Sequence, residues 1–140
     1  MLVNRKFLRI NLKHQNLRIV YYDLTGFDVL LPNLLEPIRF IIGDAVTEAP
    51  RLGVTFDMAF IDGDKRTYRE TYEMALSVLR PGGFILADNT LWDGHVVDAA
   101  YDRDPQTRGI ENFNDFVSKD QRVERVILPL RDGLTLIRKL

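Results

Sequence analysis

Two short apolar runs, each ending in acidic or amide side chains and separated by one amphipathic repeat, constrain this chain most. The first is Phe56-Asp57-Met58-Ala59-Phe60-Ile61, followed by Asp62-Gly63-Asp64-Lys65; the second is Phe84-Ile85-Leu86-Ala87, followed by Asp88-Asn89. Nearly unbroken apolar runs of this length suit strands buried on both faces of a parallel sheet. Between them, Tyr68, Tyr72, Ala75, Leu76 and Leu79 recur at helical spacing and make one apolar stripe. Thr67 and Glu70 have the spacing of a capping box, and Arg80-Pro81-Gly82-Gly83 ends the helix. Parallel strands joined by a crossover helix finish on the same edge of their sheet. Asp62, Asp64, Asp88 and Asn89 are therefore expected to meet at the carboxyl ends of neighbouring strands, where open α/β sheets bind ligands.

The remaining segments extend that pattern. Leu17 to Tyr22 is β-branched and aromatic and reads as a strand ending at Asp23. Ile38 to Ile42 is a second strand, stopped by Gly43-Asp44, and residues 45–53 hold one or two helical turns with Pro50 and Gly53 as breaks. Residues 27–36 are apolar, with Pro32 arguing against a long regular helix. Residues 1–16 are basic and weakly patterned, open between a short helix and a strand. After a polar loop over 93–104, Asp104-Pro105 has the form of an N-cap followed by proline at the first helical position. Ile110, Phe113, Phe116 and Val117 give that helix an apolar side. Val123 to Leu128 and Leu134 to Ile137 are strands joined through the turn signal Asp132-Gly133. The order β-β-β-α-β-α-β-β predicts an α/β fold whose sheet is mostly parallel with an antiparallel C-terminal hairpin.

With 140 residues the chain suits one domain, 1–140. The balance of 19 basic and 20 acidic residues gives no electrostatic case for nucleic acid or a membrane surface. No cysteine is present, so disulfide and thiolate chemistry are excluded and a cytoplasmic setting is expected. No apolar run approaches the ~20 residues of a membrane span, and Met1 to Lys6 leads into no continuous apolar stretch of the signal-peptide kind.

Asp62, Asp88 and Asn89 offer two carboxylates and an amide oxygen, hard donors that suit Mg²⁺, Mn²⁺ or Ca²⁺ rather than zinc. Three protein ligands leave positions for water or for a substrate with two adjacent oxygens. Lys65 stands one short step beyond Asp62, where a lysine with a lowered pKa accepts a proton from a cation-polarised hydroxyl. The competing reading is structural: aspartates after strands commonly cap helices or form turns. The run Asp62-Gly63-Asp64 lacks the spacing and terminal glutamate of an EF-hand loop. His14 and His95 are lone histidines and fit surface or loop positions. Trp92 follows Asp88-Asn89 closely enough to wall a pocket, while Tyr68 and Tyr72 belong to the core stripe.

From about Ile38 to Leu140 the chain resembles the metal-dependent S-adenosylmethionine O-methyltransferases, the group of the caffeoyl-CoA and catechol enzymes. The residues that carry the resemblance are Phe56 to Lys65 with Tyr68, Leu79-Arg80-Pro81-Gly82-Gly83, Asp88-Asn89-Thr90-Leu91-Trp92-Asp93-Gly94, and Leu128 to Leu136. The resemblance implies a Rossmann-like methyltransferase fold. It makes Asp62, Asp88 and Asn89 the divalent-metal ligands and Lys65 the catalytic base. It sets Gly43-Asp44-Ala45 along the cofactor's adenine, Asp64 near its methionine end, and Asp62 and Asp93 beside the acceptor. The implied reaction is transfer of the sulfonium methyl of S-adenosylmethionine to one hydroxyl of a catechol-like or caffeoyl-type phenol, with Mg²⁺ as the leading ion.

The first part of the chain departs from that pattern. Family members carry a strand that leads into a glycine-rich cofactor loop, and before Gly43 this chain has only Gly26. Taking Leu17 to Tyr22 as the family's second strand makes Asp23 the acid that binds the cofactor's ribose. The first strand, the loop and the N-terminal helices are then missing, and the fold is expected to be N-terminally truncated. The central strand lost in this way has two expected replacements: residues 1–16 acting as a substitute strand, or a second copy of the chain in a homo-oligomer, most simply a dimer. Two functions follow as alternatives to the full enzyme: a non-catalytic binding or oligomerisation module on the same half-fold, and an unrelated nucleotide-binding α/β domain. The missing phosphate-cradling turn argues against the latter.

Overall fold

The computed structural model describes residues 6–13, 16–23 and 38–140. His14, Gly26 and the apolar stretch 27–36 with its Pro32 lie outside the described residues. Among the described residues seven strands form one sheet in the order β3-β2-β1-β4-β5-β7-β6. They are β1 (Lys6–Lys13), β2 (Asn16–Asp23), β3 (Ile38–Ile42), β4 (Phe56–Asp62), β5 (Leu79–Asp88), β6 (Val123–Leu128) and β7 (Leu134–Lys139). The α-helices among the described residues are α1 (Ala45–Arg51), α2 (Tyr68–Val78) and α3 (Pro105–Lys119).

The class is α/β, as patterning and resemblance both indicated, and the sheet is mixed. β1 pairs in parallel with β4, and β4 with β5. The other four pairings are antiparallel, so β2 and β7 run against the remaining five strands. An antiparallel end was expected on one side only. The second one comes from residues 6–13, which form the substitute strand. β1 enters between β2 and β4, with Leu8 opposite Ala59 and Ile10 opposite Ile61. The signal was present in outline: Leu8, Ile10 and Leu12 alternate with Arg9, Asn11 and Lys13.

The core lies between the sheet and the helices. One row runs Leu8, Ala59, Ile85, Ile137 across four strands and the next runs Ile10, Ile61, Ala87, Thr135, all buried. Tyr68, Tyr72 and Ala75 of α2 and Ile110, Phe113 and Val117 of α3 cover those rows. The Phe113 ring meets Tyr68 and Tyr72 edge-on, with centroids 5.4 and 5.9 Å away. α1 packs on α2 and α2 on α3, so these helices share one face of the sheet. Handedness explains this arrangement. The crossovers β3→β4, β4→β5 and β5→β6 all step the same way along the sheet, and right-handed connections then all fall on the same face. The opposite step, β1→β2, is a hairpin in which Lys13 faces Asn16, leaving no room for a helix. No helix among the described residues is long and apolar enough to cross a membrane.

Candidate functional site

The register that pairs Ile61 with Ala87 sets the last residues of β4 and β5, Asp62 and Asp88, side by side at the carboxyl edge of the sheet. Beyond Asp62 the chain turns through a 3₁₀ segment, Lys65–Thr67. Asp64 caps it: its carboxylate accepts from the Arg66 backbone N–H at 3.0 Å and from the Arg66 guanidinium. Those bonds hold the Asp64 carboxyl below the usual carboxylate range, against the opposing effect of burial. The Thr67 hydroxyl donates back to the Asp64 carbonyl at 3.1 Å. Thr67 accordingly makes no side-chain cap of its own, and the expected capping box gives way to the 3₁₀ turn that runs into α2.

The turn buries Lys65, which is only 4% exposed. Its three ammonium hydrogens all have acceptors: the Tyr68 hydroxyl, the Asp88 carbonyl at 3.2 Å and the Asn89 Oδ1 at 3.1 Å. The Asp62 Oδ1 lies 3.8 Å from Nζ and the Tyr68 ring centroid 4.3 Å away. A charge pair at that separation is worth roughly 4 kcal/mol at an effective dielectric near 20. Stripping an ammonium of water costs several kcal/mol. Desolvation wins, and the Lys65 pKa is lowered even though Asp62, Asp88 and Asp132 pull it upward. Burial likewise raises the Tyr68 hydroxyl pKa, reinforced by the same three carboxylates, so this phenol stays protonated. It donates to the Asp88 carbonyl at 2.7 Å.

The loop after β5 is held in a demanding shape. Asn89, Trp92 and Asp93 take left-handed φ values of 57°, 49° and 51°. Non-glycine residues reach that region at some cost, and such strain gathers at functional sites. The turn before β7 holds the loop in place. Thr90 N–H donates to the Gly133 carbonyl at 3.1 Å, Leu91 N–H to the Asp132 carbonyl at 3.0 Å, and Asp93 N–H to the Asp132 carboxylate. Gly133 is required there: φ is +81° and a Cβ would lie 2.8 Å from the Leu91 nitrogen. Beside the loop opens a cavity of about 660 Å³, lined by Leu91, Val96 and Val97 with Asp93, Arg131 and Asp132. That volume suits a small organic ligand.

Asp62, Asp88 and Asn89 thus lie around Lys65 at one sheet edge, and the Trp92 ring stands 5.6 Å from the lysine nitrogen as one wall. Asp64 is nearby with its carboxylate engaged by Arg66. Asp44 and Ala45 lie on the same sheet edge but three strands away, roughly 14 Å at ordinary strand spacing. The Asp44 side chain caps α1, accepting from Val46 N–H at 3.2 Å and from the Thr47 hydroxyl at 2.9 Å. The structure does not bring Asp23 to the site. Because β2 runs against β1, Asp23 faces Lys6, at the opposite edge from Asp62. His95 stacks on Tyr101 at 3.6 Å between centroids, in the loop. Sequence reasoning missed Asp132, which reads as an ordinary turn residue, and the Tyr68 hydroxyl, whose position three residues after Lys65 on a helical start was the available signal.

Among the described residues no three His, Cys, Asp or Glu side chains converge as a metal-binding group. The candidate set is instead two carboxylates and an amide. Its oxygens already accommodate one positive charge, the Lys65 ammonium, with Asn89 Oδ1 and Asp62 Oδ1 both turned toward it. A hard divalent cation fits that donor set. The cofactor side fits less well: the two-residue β1–β2 connection replaces a glycine-rich loop, and Asp23 is on the wrong edge.

Comparison with known proteins supplies the frame for this geometry. Residues 11–140 match a family model described as O-methyltransferase. The chain is 40% identical over 110 residues to caffeoyl-CoA O-methyltransferase 2 of Zea mays, covering 74% of this chain and 40% of that protein. It superposes on the crystal structure of the O-methyltransferase TomG from Streptomyces achromogenes, involved in tomaymycin synthesis and in complex with SAM. That match has a TM-score of 0.63 and 27% identity, over 69% of this chain and 47% of the other. The O-methyltransferase from Bacillus cereus in complex with SAH gives a TM-score of 0.62 at 28% identity, over 70% and 48%. The chain therefore spans less than half the length of each of these proteins.

Proposed function

The chain belongs to the O-methyltransferase family, and from that premise we propose that it provides the cation- and acceptor-binding half of such an enzyme. On this reading Asp62, Asp88 and Asn89 hold a divalent cation, with Mg²⁺ the leading ion. A phenol with two adjacent hydroxyls lies in the cavity between Leu91, Val96 and Asp93. The observation that carries the reading is the convergence of Asn89 Oδ1 and Asp62 Oδ1 on the Lys65 nitrogen, at 3.1 and 3.8 Å, beside a cavity of acceptor size.

When bound, the cation supplies Lewis-acid polarisation of an acceptor hydroxyl. Burial lowers the Lys65 pKa and so favours its neutral amine, and in that form Nζ would take the hydroxyl proton and become the ammonium. The Tyr68 hydroxyl and the Asp88 carbonyl hold Nζ in place. Trp92 shields the lysine from water on one side. The strained 89–93 loop fixes Asn89 and Asp93 before any ligand arrives, which saves reorganisation at the moment of binding. The described residues do not assemble a ribose contact for S-adenosylmethionine, since Asp23 lies at the opposite edge of the sheet.

Calorimetric titration of the chain with Mg²⁺ or Mn²⁺ tests the reading. Asp62→Ala and Asp88→Ala are each expected to abolish binding while leaving far-ultraviolet dichroism unchanged. Equal affinity in the wild type and both variants would sink it. A second reading, complete methyl transfer by this chain, is supported by the solved relatives in complex with SAM and SAH, which superpose on 69% and 70% of it. Micromolar binding of S-adenosylmethionine, with cation present, selects that reading; cation binding without cofactor binding selects the first.

A further inference from the structure

The two loops that form the site leave different strands, and they meet directly through the Lys65 side chain, which donates to Asp88 and Asn89. Helix α3 touches both. Near its start, Gln106 Oε1 accepts the Lys65 backbone N–H at 2.9 Å. One turn on, Gly109 lets the helix lie directly against the lysine turn. A Cβ there would sit 2.3 Å from the Lys65 carbonyl oxygen and 2.7 Å from the Arg66 Cα. Further along, the Asn114 amide donates to the Thr90 carbonyl at 2.8 Å. Thr90 directly follows Asn89 and is fully buried, with its hydroxyl paired to Thr135 at 2.8 Å.

We infer that α3 is the gauge of the site: Gln106 and Gly109 seat the Lys65 turn, and Asn114 positions Asn89 through Thr90. The two anchors are eight residues apart on one helix, about 12 Å at 1.5 Å per residue. A helix of this length is a stiff spacer, whereas the left-handed 89–93 loop has no intrinsic preference for its shape. Asn114 touches none of the candidate ligands and is a positioning residue. The inference rests on the cation reading proposed above for its functional consequence, and on geometry alone for the positioning itself.

The test pairs two readouts in Asn114→Ala and Asn114→Asp, the latter keeping shape while losing the donor. Tyr72→Phe serves as control, since it removes an α2 hydrogen bond to Asp120 far from the site. Mn²⁺ affinity is expected to fall about tenfold in both Asn114 variants, the usual loss when support behind a ligand is removed. Hydrogen exchange at the Thr90 and Leu91 amides is expected to quicken about tenfold, as local opening becomes easier. Tyr72→Phe should lower the melting temperature while leaving both readouts unchanged. If the Asn114 variants match the control in both, the positioning role is overturned. If the wild type itself binds no Mn²⁺, the cation reading falls, and the exchange rates alone decide: faster exchange confined to the Asn114 variants upholds the gauge, and equal exchange removes it.

Discussion

The strands on either side of the β1–β4 boundary are joined in opposite ways. From β4 onward, the step to the parallel neighbour passes through a helix, and the candidate ligands Asp62, Asp88 and Asn89 lie at or just past the ends of β4 and β5. On the other side, β1 returns at once as β2 through a two-residue connection. Both sides feed the same core rows, since Leu8 and Ile10 are as deeply buried as Ala59 and Ile61. A strand can therefore complete a hydrophobic core without bringing the loop that a strand in its place would carry. Burial depends on side-chain alternation and register, whereas chemistry at a sheet edge depends on what the chain does after the strand ends.

The sharpest way to break that comparison is to attack β1 from within. Ile10→Ala is expected to destabilise by about 3 kcal/mol, the middle of the range for deleting a fully buried aliphatic side chain. In a chain of this size that corresponds to a melting temperature lower by roughly 10 °C. Ile127→Ala, on edge strand β6 and 45% exposed, should cost under about 1 kcal/mol. Urea unfolding that ranks the two equally would mean the hairpin side is not integral to the core.

The helical side has an ionic tether that sharpens the contrast. Past the end of α3, Asp120 accepts from the buried Tyr72 hydroxyl at 2.8 Å and from the Arg122 guanidinium at 2.6 Å. The Arg122 bonds hold the Asp120 carboxyl at about 2, below its ordinary 3.8. A depressed carboxylate pKa stabilises the fold above the unfolded value and loses that contribution as pH falls from about 3.8 through about 2. The shift corresponds to roughly 2 kcal/mol at most, reduced by solvent around the half-exposed Arg122. Unfolding of wild type and Asp120→Asn should therefore differ at pH 6 and converge at pH 2; a gap that persists at pH 2 would remove the ionic explanation. The smallest effect is expected at the outer pair Arg138–Glu124, 2.5 Å apart with both side chains exposed. Glu124→Gln should change stability by about 0.5 kcal/mol or less, which salt should erase.

Much of the helical side was legible in the residue pattern because its signals are local. Asp104-Pro105 gave the start of α3 correctly: Asp104 Oδ2 accepts the Thr107 N–H at 2.7 Å and proline sits in the first turn. The apolar runs gave β4 and β5, although β5 begins at Leu79, earlier than expected. It runs through Pro81 to Gly83, so that Phe56 pairs with Leu79 and Met58 already with Phe84. The kinked turns at Trp92–Val97 and the 3₁₀ turn at Ala99–Tyr101 read only as polar loop, since their shape is set by contacts with the β7 turn and by ring stacking rather than by propensity.

By itself the sequence determined that Asp62, Asp88 and Asn89 share one sheet edge: strand length, apolar runs and a helix between them leave little freedom at the β4 and β5 ends. Only the tertiary structure decided where β1 goes, which way β2 runs and hence that Asp23 lies at the opposite sheet edge from Asp62. It also decided that Lys65 is buried among Tyr68, Asn89 and Asp88, and that Asp132 belongs beside them. Residue types and spacings encode local geometry, but pairing and direction are set by which surfaces can be buried together. That is a property of the whole sheet, read at distances no local pattern spans.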